Sequence, residues 1–276
     1  MTELKQHKIG LALGSGGAKG LAHIGVIKVL EENNVPIDYI AGSSIGALIG
    51  GFYAATRDIK EIEQIALKTN WRQMLSLIDP SLHLGLLVGE KVRYFIESYI
   101  DKIHFKNLKI PLSVIATDIK SGEVVSINEG DVASAIRASI SFPLVFEPVK
   151  REMKLLADGG LSLPVPVDTV RKMGAGIIIA VNLDDDYFSA EQNDSIGFYK
   201  IANNSINILR HHLSLWNVKN ADIVISPKTG PLKWDKFIDG KNIILSGEKA
   251  AREIMPEIVL LIKSKLERPG EEGIVD

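Results

Sequence analysis

The feature that most narrows the folds open to this chain is a short, largely apolar run, stopped by glycine and followed by a longer stretch of helical spacing. It is written twice near the N-terminus. Ile9 to Leu13 is followed by Gly14 and then by Ala18 to Glu32, and Ile37 to Ala41 by Gly42 and then by Ile45 to Ala55. The runs have strand length and the stretches behind them have helical spacing, so each pair reads as strand, turn and helix. Repetition of that unit calls for a parallel sheet, because parallel neighbours need a crossover between them. The second helix, IGALIGGFYAA, is apolar nearly all round and is expected to lie buried.

The rest of the chain continues the alternation. Pro111 to Thr117 reads as a strand, with Glu123 to Ile127 returning beside it across Lys120, Ser121 and Gly122 as a hairpin. Asp131 is placed to cap a short helix that ends near Ser139. Lys154 to Ala157 is a strand running directly into Asp158, Gly159 and Gly160. A helix over Val167 to Met173 and a strand over Ile177 to Val181 add one more unit. A long helix near Ile196 to Val218, a strand at Ile223 to Ile225 and a last helix from Gly247 to Leu266 follow, and Pro256 is expected to kink or divide that last helix.

Asp58 to Lys102 reads as helices interrupted by Met74 to Gly89, whose leucines read first as core and second as a lipid-touching flap; Trp71 beside them reads either way. Asp184 to Asp194 is polar and reads as a mobile surface loop. The expected class is therefore α/β, a three-layer α/β/α sandwich with a mainly parallel sheet. No internal repeat or linker divides residues 1–276, so one domain is expected, with a core over about 8–182 and a helical and strand extension over 183–268.

Composition matters here chiefly for what it excludes. A formal charge of -2, with 24% charged residues, carries no polyelectrolyte signature and argues against nucleic acid as a partner. The absence of cysteine removes disulfides, thiolate nucleophiles and thiolate metal sites together. No window approaches the roughly 18 consecutive apolar residues of a spanning helix. The N-terminus MTELKQHKIG has no apolar signal region, so a cytoplasmic location is expected, with any membrane contact peripheral.

Three glycine-rich turns carry the candidate chemistry. Gly42, Ser43, Ser44, Ile45 and Gly46 form a G-x-S-x-G between a strand and a buried helix, a context that pushes a serine hydroxyl outward. Ser44 reads equally as the N-cap of that helix. Gly14, Ser15, Gly16, Gly17, Ala18, Lys19 and Gly20 follow the first strand, and the amides of Gly16, Gly17 and Ala18 are free to converge on an oxyanion or a phosphate. The loop lacks the Gly-Lys-Ser/Thr of a P-loop, although a loose dinucleotide pattern through Gly14, Gly16 and Gly20 still passes. Asp158 before Gly159 and Gly160 reads, taken alone, as a turn. None of His7, His23, His83, His104, His211 and His212 sits where the base of a serine hydrolase is expected.

Together these motifs resemble the patatin-like phospholipase family, and more closely its bacterial branch related to neuropathy target esterase. The stretch from Ala138 through Ser139, Ser141, Phe142, Pro143 and Phe146 to Pro148 resembles a fourth block of that family. The resemblance implies a Ser–Asp dyad without histidine: Ser44 as nucleophile, Asp158 as its acid, and the Gly16 and Gly17 amides as the oxyanion hole. It also implies a hydrolase of carboxylic esters, lipid esters in particular, without cofactor or metal. Ser15 stands where many members have Gly, and Lys19 where many have Arg, which keeps the charge but loses the bidentate fork. A nucleotide-binding protein built on the Gly14–Gly20 loop, and a non-catalytic regulatory member of the same fold, are the alternatives.

Overall fold

The computed structural model describes residues 8–67, 89–185, 197–229 and 240–267. At its centre lies β1 (Ile9–Leu13), every residue of which is buried. It is paired in parallel with β2 (Tyr39–Ser43) on one side and β7 (Ile177–Val181) on the other. The parallel run extends to β3 (Leu112–Asp118) beyond β2 and to β8 (Ile223–Ile225) beyond β7. Strands in the middle of a parallel sheet are covered on both faces, which explains why they read as unbroken apolar runs.

Two strands run against this direction, and a third turns back along it. β4 (Val124–Ile127) pairs antiparallel with β3, β6 (Lys154–Asp158) also pairs antiparallel with β3, and β5 (Val149–Arg151) pairs antiparallel with β6. A strand has only two edges, and that count places the strands. Val114 and Ile115 bond β2 and β4, whereas Ala116 and Thr117 bond β6 and β4. β4 therefore occupies one edge of β3, and β2 and β6 share the other, approaching each other head to head.

Side-chain alternation sorts the two faces. Ile9, Leu11, Leu13, Ile177, Ile179 and Val181 enter a large cluster with the helices α1 (Ala22–Glu32) and α2 (Ile45–Thr56). That cluster also takes in α3 (Ile59–Leu67), α4 (Glu90–Ile100), α5 (Val132–Ser139) and the final helix α8 (Gly240–Glu267). The opposite face is narrower: Ala12, Ala41, Ile178 and Ala180 meet Val167 and Val170 of α6 (Val167–Lys172). The helix α7 (Phe198–Asn217) completes the set. No described helix is long and apolar enough to cross a membrane.

Several sequence expectations need correction. β5 is an additional strand; it turns into β6 through Glu152 and Met153, with Glu152 at φ 55. The helical run expected from Ala18 opens with a 3-10 turn over Gly17–Leu21. α8 begins seven residues earlier than expected and passes Pro256 as one helix. Pro256 is exposed, so the carbonyl of Arg252 that it leaves without a partner in the helix can be met by water. Asp184, expected on a mobile loop, is 2% exposed. Most of the remainder of that loop, Trp71 and residues 74–88 lie outside the described residues.

Candidate active site

Two paired registers bring the site together. The last residue of β2 that pairs with β3 is Ser43, opposite Ile115, and the last residue of β6 is Asp158, opposite Ala116. These are consecutive positions on one edge of β3. The chain leaving β2 and the chain leaving β6 consequently meet, and the Ser44 Oγ hydroxyl donates to Asp158 Oδ2 at 2.6 Å although 114 residues separate them. That length is in the range of a charge-assisted O–H···O⁻ bond.

Ser44 occupies the N-cap position of α2, yet its side chain makes no capping bond. Its backbone stands at φ 54, ψ -122, a conformation that costs on the order of 1–3 kcal/mol for a residue with a side chain. Two groups hold it there. Its backbone amide donates to Ser139 Oγ at 2.9 Å. Gly46, one turn into the helix, lies so close to β1 that a Cβ there would sit 2.2 Å from the Leu13 carbonyl oxygen. The strain thus aims the hydroxyl away from the helix and toward Asp158.

Asp158 is 3% exposed and fully occupied. Its Oδ1 accepts from the Gly160 amide at 2.7 Å, its own amide donates to the Ser141 carbonyl at 3.0 Å, and its carbonyl accepts from Thr117 Oγ1 at 2.8 Å. Burial raises its carboxyl to about 6, against the opposing pull of the Ser44 hydroxyl, the Gly160 amide and, farther off, Arg210. Arg210 itself grips Asp184 with two bonds, Nε to Oδ2 at 2.7 Å and Nη2 to Oδ1 at 2.9 Å. A carboxylate near 6 is a stronger base at neutral pH than an ordinary one and is still mostly ionised there.

The glycine loop leaves the end of β1 beside this pair. The Gly14 and Ser15 amides are used by the carbonyls of Val181 and Pro164, at 3.0 and 2.9 Å. Among the described residues no acceptor is found for those of Gly16 and Gly17. Gly17 stands at φ 56, and a Cβ there would meet nothing within 4 Å, so its surroundings are open. Gly16 to Lys19 and Ser44 are partly exposed, whereas Asp158 and Ser15 are buried, which makes this the accessible side of the hydroxyl. Gly20 packs on Ile45, and Gly42 against Ala47, locking the loop and the serine turn together. Gly159 approaches the Ile115 carbonyl of β3 too closely for any side chain, and Gly160 packs tightly on the Ser15 side chain.

Histidine does not complete the pair. His23 is buried, and its Nε2 donates to the Gly14 carbonyl at 2.8 Å, since a carbonyl only accepts. Burial lowers its pKa to about 4, so it is neutral at physiological pH and braces the loop rather than titrating. His211 is buried against the Asp184 carbonyl, and His104 and His212 are exposed. None of these bonds Ser44.

Sequence reasoning missed three supports: Ser139, Ser141 and Thr117, which hold the Ser44 amide and the two ends of the Asp158 peptide. The first two lie in the fourth block, which carries no role until the tertiary contacts supply one. Asp184 and Arg210 were missed as well. Nothing local marks a carboxylate in an acidic stretch, or an arginine in a long helix, as a buried ion pair.

The family model of patatin-like phospholipases matches residues 11–171, more than half of the chain. An uncharacterised NTE family protein of Mycobacterium tuberculosis is 41% identical over 178 residues, 64% of this chain and 49% of the relative. Human patatin-like phospholipase domain-containing protein 6 is 33% identical over 188 residues, 65% of this chain and 14% of that protein. The chain spans about half the length of the mycobacterial relative. Among solved structures, VipD from Legionella pneumophila superposes with a TM-score of 0.54 at 15% identity, covering 91% of this chain and 67% of VipD, a likeness of fold. Motif order, matched span and sheet topology agree, and the chain belongs to the patatin-like phospholipase family.

Proposed function

We propose that this chain is a lipid acyl hydrolase in which Ser44 attacks a carboxylic ester and Asp158 takes its proton. The observation that carries the reading is the 2.6 Å bond from a strained, outward-turned serine to a buried carboxylate, with no other base beside it among the described residues. The hydroxyl proton passes to Asp158 Oδ2 as Oγ bonds to the ester carbon. The carbonyl oxygen becomes an oxyanion, and the amides of Gly16, Gly17 and Ala18 are the donors available to it. Asp158 then returns the proton to the departing alkoxide, leaving an acyl-serine. A water molecule, giving its proton to Asp158 in turn, releases the acid and restores Ser44.

Membership of a family named for phospholipases supports a lipid substrate, and human and mycobacterial relatives with NTE or phospholipase names support the same reading. The test is labelling with a fluorophosphonate probe and turnover of a soluble short-chain ester. Both are expected in the wild type and absent in Ser44→Ala. A Ser44→Ala protein that still labels and turns over would overturn the assignment.

A further inference from the structure

The helix α7 is inside out. A surface helix ordinarily turns apolar residues to the core and polar ones to water. Here the only two buried side chains are His211 and Ser214, and the inward polar contacts include the Arg210–Asp184 pair and Asn217 Oδ1 accepting from the Val165 amide. The outward side carries Phe198, Ile201, Ile208, Leu209, Leu215 and Trp216, six of the fifteen large apolar side chains exposed among the described residues. Phe198 is 85% exposed, Leu209 71% and Trp216 67%. They lie along a 20-residue helix, about 30 Å of continuous surface.

The charges beside this stripe have one sign. From Gly197 to Ala221 there is no Asp or Glu, and the exposed Lys219 stands just past the C-terminal end of the stripe in a chain whose formal charge is -2. Lys200, about three turns before the buried His211, lies on the inward side. Lys219 Nζ lies 4.1 Å from the centre of the Trp216 ring. An aromatic and aliphatic face flanked by lysine, with tryptophan near one end, is the pattern of a helix lying in a lipid interface. Lysine is depleted where proteins bind proteins. Location adds a second argument, because α7 packs on the Gly159–Leu161 turn that directly follows Asp158.

We infer that the outward face of α7 is the surface by which this protein lies on an anionic lipid bilayer, presenting the Ser44 site to esters held there. The inference deepens the hydrolase reading and rests on it for the substrate, but the contact itself is measured without turnover. Inward polar bonds then have a purpose: they tie the docking helix to the dyad's surroundings, so the site keeps its geometry while the outer side chains enter the lipid.

The experiment is sedimentation of the full chain with vesicles of phosphatidylcholine, with and without phosphatidylglycerol, alongside soluble-ester turnover. The wild type is expected to sediment with mixed vesicles. Phe198→Ser/Leu209→Ser/Trp216→Ser is expected to lose about tenfold or more in partition, with soluble-ester turnover unchanged. Lys219→Glu is expected to lose about fivefold or more on mixed vesicles and little on neutral ones. Trp216→Ala alone, at a side chain 67% exposed, keeps the test decisive should the triple variant unfold; about threefold is expected. Equal partition of wild type and triple variant would overturn the inference. So would a wild-type dimer that the triple variant dissociates, which would assign the face to a second copy. A wild type that sediments but turns over no ester would sink the hydrolase reading and leave the docking face standing.

Discussion

The parallel and antiparallel parts of the sheet each deliver one oxygen to the same hydrogen bond, and they do so by different means. Ser44 is placed locally. Its turn joins β2 to α2 within a few residues, and glycines at 42 and 46 let that turn close. Asp158 is placed at long range, by the pairing of β6 with β3 and by bonds from Thr117 and to Ser141. Local turns can be recognised from sequence because the residues that define them are adjacent; a register between distant strands cannot. The carboxylate's basicity follows the same division, since burial raises it and burial is a tertiary property.

The largest test removes the charge on the antiparallel side. Asp158→Asn keeps the shape but has no base, and soluble-ester turnover is expected to fall on the order of a thousandfold or more. Stability should move the other way. In the folded protein this carboxyl lies above its ordinary value, at about 6, so the stability it contributes is whole below about pH 4 and is lost as pH rises through 6. Asp158→Asn is therefore expected to melt higher at pH 8, by up to about 3 kcal/mol, with the two melting curves converging below about pH 4. Wild-type turnover should fall as pH drops through about 6.

Next come the close approaches that seat each half. A Cβ at Gly46 would lie 2.2 Å from the Leu13 carbonyl oxygen, and one at Gly159 2.3 Å from that of Ile115. Gly46→Ala and Gly159→Ala are each expected to cost about 3 kcal/mol in denaturant unfolding, because both neighbours are backbone and cannot swing aside. A much smaller loss in one would show that its half of the sheet is the looser one.

The link between the halves gives a smaller effect. Ser139→Ala leaves the Ser44 amide without its partner, and kcat for the soluble ester is expected to fall about tenfold with KM unchanged. Ser139→Thr, which keeps the hydroxyl, should recover most of it; recovery failing in a normally folded protein would make Ser139 a packing residue only. The last test concerns His23. Its neutral, buried ring binds a proton only near pH 4, whereas the unfolded chain binds one near 6.5, so this group's stability is present above 6.5 and lost toward 4. His23→Gln should flatten that part of the stability profile by about 1–3 kcal/mol.

Much of the fold was legible in the sequence. β7 and β8 run over the residues the sequence indicates, and the hairpin of β3 with β4 is written in its glycine turn. The three glycine motifs are found at strand ends, as their spacing implies. β5 was not legible because three residues with an exposed middle carry too little alternation to read. The roles of Ser139, Ser141 and Thr117 were not legible because each is defined by an atom distant in sequence.

By itself the sequence determined the units: apolar strands, glycine turns and the helices behind them, all set by steric and periodic rules that act over a few residues. It also determined that Ser44 would stand on a sharp turn. The tertiary structure alone decided that β2 and β6 share one edge of β3 and meet end to end, that burial raises the Asp158 carboxyl to about 6, and that α7 turns its apolar side outward. Those outcomes depend on which distant segments exclude water from one another, and no local window of residues contains that information.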